Sequence, residues 1–204
     1  SIRRNWTGNI CVDATLVKTW GKAGSPTLRK NQDCSQDRMS PEYLAGWYTR
    51  TDDHREPDTP ARGTRGRGKY AWGYEAHLGV MTTNSPDTAP NFPLLVLGMS
   101  LDKPAGRVGE NATTVLTSII ERGNPSGICA SDRAYFPNAK PEKFQLPVRA
   151  LGYQLCGDYR DDQLGVQAEH GGALLVEGNW YCPSIPQPLI DATADHRNRR
   201  IDDD

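Results

Sequence analysis

The sequence predicts a mixed α/β fold, in which a mixed β-sheet is flanked by helices. Three observations carry that expectation. Short apolar and β-branched runs such as "NICVDATLV" (9–17) have the length and composition of strands. One segment, "GENATTVLTSIIERG" (109–123), places Ala112, Val115, Leu116, Ile119 and Ile120 at the spacing of a helix stripe. The order of elements is strand, long insert, strand, strand, helix, strand, helix, strand. A helix between the third and fourth strands predicts a crossover, and with it parallel pairing there.

The elements follow in order. The run 9–17 is a central strand with one charge, Asp13, inside it or at its end. From Lys18 to Gly68 the periodicity is lost, and a connection this long within a compact domain is usually functional or disordered. Within it, "PEYLAGWY" predicts a single helical turn anchored by Trp47 and Tyr48. "KYAWGYEAHLGVMTT" (69–83) alternates Tyr70, Trp72, Tyr74, Ala76, Leu78 and Val80 on one face, the period of a half-buried strand. The opposite, polar face carries Gly73, Glu75, His77 and Gly79.

After the turn region "NSPDTAPN", the continuous apolar run "FPLLVLGMSL" (92–101) predicts the next long strand. The amphipathic helix ends at Gly123, a residue suited to the left-handed conformation that closes helices. "GICASDRAYF" (127–136) begins as a further strand and meets Asp132 as its apolar run ends. "KPEKFQLPVRALG" predicts a short helix interrupted by proline, and "YQLCGDY" another strand. Beyond Asp161 the Gly-punctuated segment "LGVQAEHGGALLVEGNWYCPS" predicts one or two β-hairpins, and a helix begins near Leu189. The expected domains are therefore a core over 1–160, with 18–68 inserted, and a hairpin-and-helix extension over 161–204.

Composition narrows the function classes. The 204 residues carry a net charge of −1, so nucleic-acid binding must rest on a local basic patch rather than on the whole surface. No apolar run approaches the roughly 20 residues of a membrane span, and no secretory signal opens the chain. The five cysteines (Cys11, Cys34, Cys129, Cys156 and Cys182) are odd in number, widely spaced and without a C-x-x-C pair. That pattern argues against a zinc knuckle and a disulfide framework, and predicts a reducing, cytoplasmic setting. His54, His170 and His196 share no ligand spacing that would suit zinc. "GTRGRGK" lacks the hydroxyl residue and following helix of a phosphate loop.

The chemistry-bearing candidates are Asp13 and Asp132. If the first and fourth strands are neighbours, the two carboxylates sit side by side. Without a counterion they repel, whereas Mg²⁺ between them makes a site, because hard cations take carboxylate oxygens. Such ions can clamp the attacking and leaving oxygens of an in-line phosphoryl transfer. The alternative is a pair of unrelated turn aspartates.

"CVDAT" before a long basic insert, "GKYAWGYEAHLGV" after it and "SDRAY" following a helix together resemble the catalytic domain of DDE-type insertion-sequence transposases, actinobacterial members above all. The resemblance spans roughly residues 9–160, and "YCPSIPQPLIDAT" is similar as well. It implies a ribonuclease H-like fold and a triad of acids, with Asp13 as the first and Asp132 as the second. It also implies Mg²⁺ or Mn²⁺ as cofactor, DNA (transposon ends and target DNA) as partner, a homodimer when complete, and a nucleoid-associated cytoplasmic location.

The third acid stays open. Asp158, Asp161, Asp162, Glu169, Glu177, Asp191 and Asp195 are all available, with Asp158, Asp191 and Asp195 foremost. A triad acid in that family comes from a later helix, so the resemblance also implies a fragment whose final ligand lies further along, with 161–204 as the start of an inserted region. Arg55, Arg62, Arg65, Arg67 and Lys69, interleaved with glycine, suit contact with a DNA backbone. Glu75 and His77 are candidates to tune the metal site, and Arg133 and Tyr135 to touch phosphate or orient Asp132. Two other functions compete with transposition: a catalytically incomplete remnant that binds DNA or protein, and a metal-dependent nuclease that cuts without joining.

Overall fold

Strand β1 (Ile10–Lys18) lies inside the sheet because its residues serve two environments. Ile10 and Val12 are fully buried, while Asp13 between them and the strand end is exposed. The computed structural model describes residues 5–24, 40–50, 69–85, 88–104, 106–136, 140–157, 159 and 161–201. These form two units, 1–156 and 157–204.

In the first unit β1 pairs antiparallel with β3 (Lys69–Met81) over its whole length, from Ile10 opposite Met81 to Lys18 opposite Gly73. On its other side β1 pairs in parallel with β5 (Ile128–Ser131). The remaining strands are β2 (Gly46–Arg50), β4 (Val96–Asp102) and β6 (Gln154–Gly157). The sheet runs in the order β2-β3-β1-β5-β6, with β4 also paired to β3. A mixed sheet with helical cover is thus observed.

Helix α1 (Val108–Glu121) supplies the main apolar cover. Its stripe of Ala112, Val115, Leu116 and Ile119 packs on Ile10, Val12 and Cys129 from the sheet. Helix α2 (Gln145–Ala150), after one 3-10 turn at Pro141–Lys143, adds Val148, and Phe144 between them joins the same core. Gly123, at φ 73°, stops α1 as expected, donating its N–H to the Ile120 carbonyl. Glu110 lies in the first turn of α1 and bonds Lys143 at 2.6 Å, a contact that holds its carboxyl below the ordinary range.

The chain differs from the sequence expectation at four places. Gly46–Arg50 is a strand instead of part of a helical turn, because Trp47 pairs opposite Trp72 and the two rings meet edge-on at 5.5 Å. The long strand expected from Phe92 begins only at Val96. Phe92 instead turns inward against Trp6 and Met81, and Pro93 has no N–H to offer a ladder.

The crossover after β4 carries the chain past β3 to β1, so the parallel partner of β5 is β1 and not β4. Finally, the more fully buried face of β3 is the one with Gly73, Glu75, His77, Gly79 and Met81, while on the other face Ala76 is buried and Trp72, Tyr74, Leu78 and Val80 are half-buried. Close approach of α1 explains this choice. A Cβ on Gly79 would stand 2.8 Å from Ile119 Cδ1 and 2.9 Å from Val115 Cγ1, so only glycine lets the helix settle there.

At the far end of the sheet, Asn9 ties three segments together. Its Oδ1 accepts the Ile128 N–H at 2.9 Å, and its Nδ2 donates to the carbonyls of Thr83 and Asn84. These bonds fix where β1, β3 and β5 begin or end, and so help to set their register.

The second unit contains a three-stranded antiparallel sheet, β7 (Val166–His170), β8 (Ala173–Val176) and β9 (Asn179–Tyr181), and the helix α3 (Gln187–Arg197). Glu177 and Gly178 both have positive φ, the conformation of a tight hairpin turn between β8 and β9. Arg197 pairs with Asp161 at 2.8 Å, and Thr193 donates to Glu177 at 2.7 Å. Among the described residues no helix is long and apolar enough to cross a membrane.

The four described cysteines are free, in contrasting surroundings. Burial pushes the Cys129 thiol up to about 12, whereas a bond to Ser184 lowers that of the exposed Cys182. The thiolate is the reactive form. Iodoacetamide at neutral pH should therefore modify Cys182 early and leave Cys129 untouched until the protein unfolds. Peptide mass spectrometry over a time course reads this order, and equal rates at the two sites would contradict it.

Candidate two-carboxylate site

Asp13 and Asp132 come together through the register of β1 and β5. Parallel pairing runs Ile10 with Cys129, Cys11 with Ala130 and Val12 with Ser131. The next residues in each strand direction are Asp13 and Asp132. Neighbouring strands lie about 4.8 Å apart, so the backbones of the two acids follow the last paired residues at roughly that spacing. Both are exposed. The site lies where β5 ends while β1 continues to Lys18, at the carboxyl end of a parallel pair. Ligands of open α/β sheets bind at such ends.

Local hydrogen bonds hold each carboxylate. Asp13 Oδ1 accepts the N–H of Ala14 at 2.7 Å. Asp132 Oδ1 accepts the N–H of Ala134 at 2.9 Å, and the Asp132 carbonyl accepts the N–H of Tyr135 at 3.2 Å. Residues 132–135 thus form a side-chain-stabilised turn, the structure that Asp favours just beyond a strand. Among the described residues Oδ2 of each acid is left for another ligand. Two other groups register both acids. The Cys11 thiol is raised first by burial and then by Asp13 and Asp132. The Tyr135 phenol is raised first by burial and then by Asp13, Asp132 and Glu75.

The donor set suits a hard cation. Mg²⁺ is commonly held by one or two carboxylates while it keeps several waters, and an exposed pair of aspartates offers that chemistry. No group of three or more His, Cys, Asp or Glu side chains placed to hold a metal occurs among the described residues. The described residues thus offer two candidate ligands here, Asp13 and Asp132.

A buried polar chain runs from β3 to the turn that follows Asp132. His77 is fully buried, and its Nδ1 is 3.0 Å from the Tyr135 hydroxyl. His77 Nε2 lies 3.5 Å from Glu75 Oε2, an ion-pair distance that does not meet hydrogen-bond geometry. Tyr135 is 1% exposed, which leaves it no surface to offer a phosphate. Its ring packs on Phe144 at 5.3 Å. Arg133, one residue past Asp132, is exposed on the turn.

The other candidates divide by location. Arg55, Arg62, Arg65, Arg67 and Asp158 lie outside the described residues. Lys69 is the first residue of β3, where it pairs opposite Arg50. Asp191 and Asp195 are on α3 in the second unit, where Asp191 accepts from Gln187 at 2.9 Å and Asp195 pairs with Arg200 at 3.0 Å. Asp161 is engaged by Arg197.

Sequence reasoning missed Ser131, whose buried hydroxyl has no hydrogen-bond partner among the described residues and which precedes Asp132. It also missed the link from His77 to Tyr135, which joins residues 58 positions apart. Only the strand order could have suggested that link.

No protein-family model matches this chain, and no curated protein or solved structure is significantly similar to it.

Proposed function

We propose that this chain is a metal-dependent phosphoryl-transfer domain acting on DNA, with a ribonuclease H-like fold of the kind used by DDE-type transposases. The parallel register of β1 and β5 carries the proposal, because Asp13 and Asp132 follow its last paired residues at the carboxyl end of that pair. The strand order supports it too: the first strand lies between an antiparallel neighbour and the strand that precedes the second acid.

Asp13 and Asp132 would hold Mg²⁺ or Mn²⁺ through their free carboxylate oxygens. The bound cation would supply Lewis-acid stabilisation of the charge that develops at phosphorus during in-line attack. Without it, two carboxylates would repel a phosphodiester, so the chain's own residues require a cation before DNA can approach. The Ala134 and Ala14 N–H groups fix the two aspartates before ligand arrives, which limits the reorganisation needed on binding. Lys69 and the arginines of 51–68 would hold the DNA backbone without reading sequence.

Incubation of this protein with supercoiled plasmid and Mn²⁺ should produce nicked circles if these two carboxylates suffice for cleavage. Added oligonucleotide ends should become joined to the plasmid. Nicking without joining would assign a nuclease. DNA binding without nicking would assign the incomplete remnant. No cleavage and no DNA binding would overturn the proposal.

A further inference from the structure

We infer that Glu75, His77 and Tyr135 form a buried strut that positions Asp132 relative to Asp13. The inference rests on the proposed two-carboxylate site and names the residues that set its geometry.

The strut begins on β3. Glu75 and His77 are two residues apart and so share the strand face that looks into the core. His77 stands opposite Ala14 on β1 and Ser100 on β4, which fixes its place beside the residue that follows Asp13. Its imidazole is sealed from solvent and reaches Tyr135 at 3.0 Å. Tyr135 is the last residue of the turn that Asp132 opens. The same turn is closed by the Asp132 side chain and carbonyl. A displacement of Tyr135 therefore moves the Asp132 turn, and His77 ties Tyr135 to the strand that pairs with β1.

The direction of the bonds follows from the neighbours. The Glu75 carboxylate lies near Nε2, which favours a proton on that nitrogen and leaves Nδ1 as the acceptor. Tyr135 then donates its O–H to Nδ1. The phenol stays protonated because burial and three nearby carboxylates disfavour its anion. A polar chain of this kind in an apolar core has no role in packing that a phenylalanine and a leucine could not fill. Groups that orient metal ligands from behind commonly change metal affinity by roughly 10- to 100-fold when they are removed.

The test uses Tyr135→Phe in the metal-free and the Mn²⁺-titrated protein. The substitution keeps the ring on Phe144 and removes only the hydroxyl. Hydrogen exchange of the Ala134 and Tyr135 amides should accelerate by about tenfold, the expected effect of losing one buried hydrogen bond, while amides of β1, β3 and α1 keep their protection. Mn²⁺ affinity by calorimetry should fall by about tenfold or more.

A purely structural role would raise exchange evenly through the core and would overturn the inference, as would unchanged exchange at Ala134. If His77→Ala fails to fold, Tyr135→Phe still decides. Failure of the metal site itself looks different: the unsubstituted protein would bind no Mn²⁺, while the exchange result at Ala134 would still report on the strut.

Discussion

Asp13→Asn and Asp132→Asn are each expected to weaken Mn²⁺ binding by more than about a hundredfold, beyond the effect typical of an outer-shell partner. Asparagine is the informative replacement. It keeps an oxygen to accept the Ala14 or Ala134 N–H, so the turn survives while the charge is lost. The double variant should lose little more than either single one, because two ligands of one ion act as a unit and their losses do not add. Thermal stability should hold or rise in all three proteins, since both side chains are exposed and their like charges no longer face each other. Calorimetry and a melting curve on the same samples read both quantities. Independent, additive losses would mean two separate weak sites, and no loss at all would remove the site.

Leu116→Ala is expected to destabilise the first unit by about 2–5 kcal/mol, the range for removing a large aliphatic side chain from a packed core. Leu116 is fully buried on α1, in the cluster with Ile10, Val12, Cys129 and Phe144. The loss is large against a total stability of roughly 5–15 kcal/mol for an ordinary domain. Met99→Ala on β4 is the control. Met99 is apolar and lies within a strand, but it is 63% exposed, so its removal should change stability by only about 0.5 kcal/mol. Denaturant titration followed by tryptophan fluorescence separates the two. Equal losses would contradict the assignment of α1 as the cover of the sheet.

Several features were legible because one physical signal dominated. The stripe of Ala112, Val115, Leu116 and Ile119 is a helix period, and these four are buried apolar residues of α1 in the core cluster with the sheet. The strand at Ile10–Lys18 was plain from its β-branched run, and the acid within it from its isolation. That the first and fourth core strands are neighbours followed only from the order of elements, and they are the parallel pair β1 and β5.

Where the expectation and the structure part, long-range pairing decided. Trp47 lies on a strand because Trp72 is opposite it, and nothing in "PEYLAGWY" encodes that partner. The buried face of β3 was misjudged because alternation shows that two faces differ but not which one meets the helix. Gly79 was the available signal: a glycine in a strand marks close approach, here of Ile119 and Val115. The burial of His77 needed Tyr135, a residue on another strand end. The sequence singled out no third acid, since a carboxylate on a solvated surface and one awaiting a cation look alike in sequence.

The most direct measurement of the central claim is a crystal of the protein soaked in Mn²⁺ and recorded at a wavelength where manganese scatters anomalously. The predicted result is an anomalous peak in contact with both Asp13 and Asp132, at about 2.0–2.6 Å from a carboxylate oxygen of each. Carboxylates too far apart to share one ion, or a peak that touches only one of them, would contradict the claim.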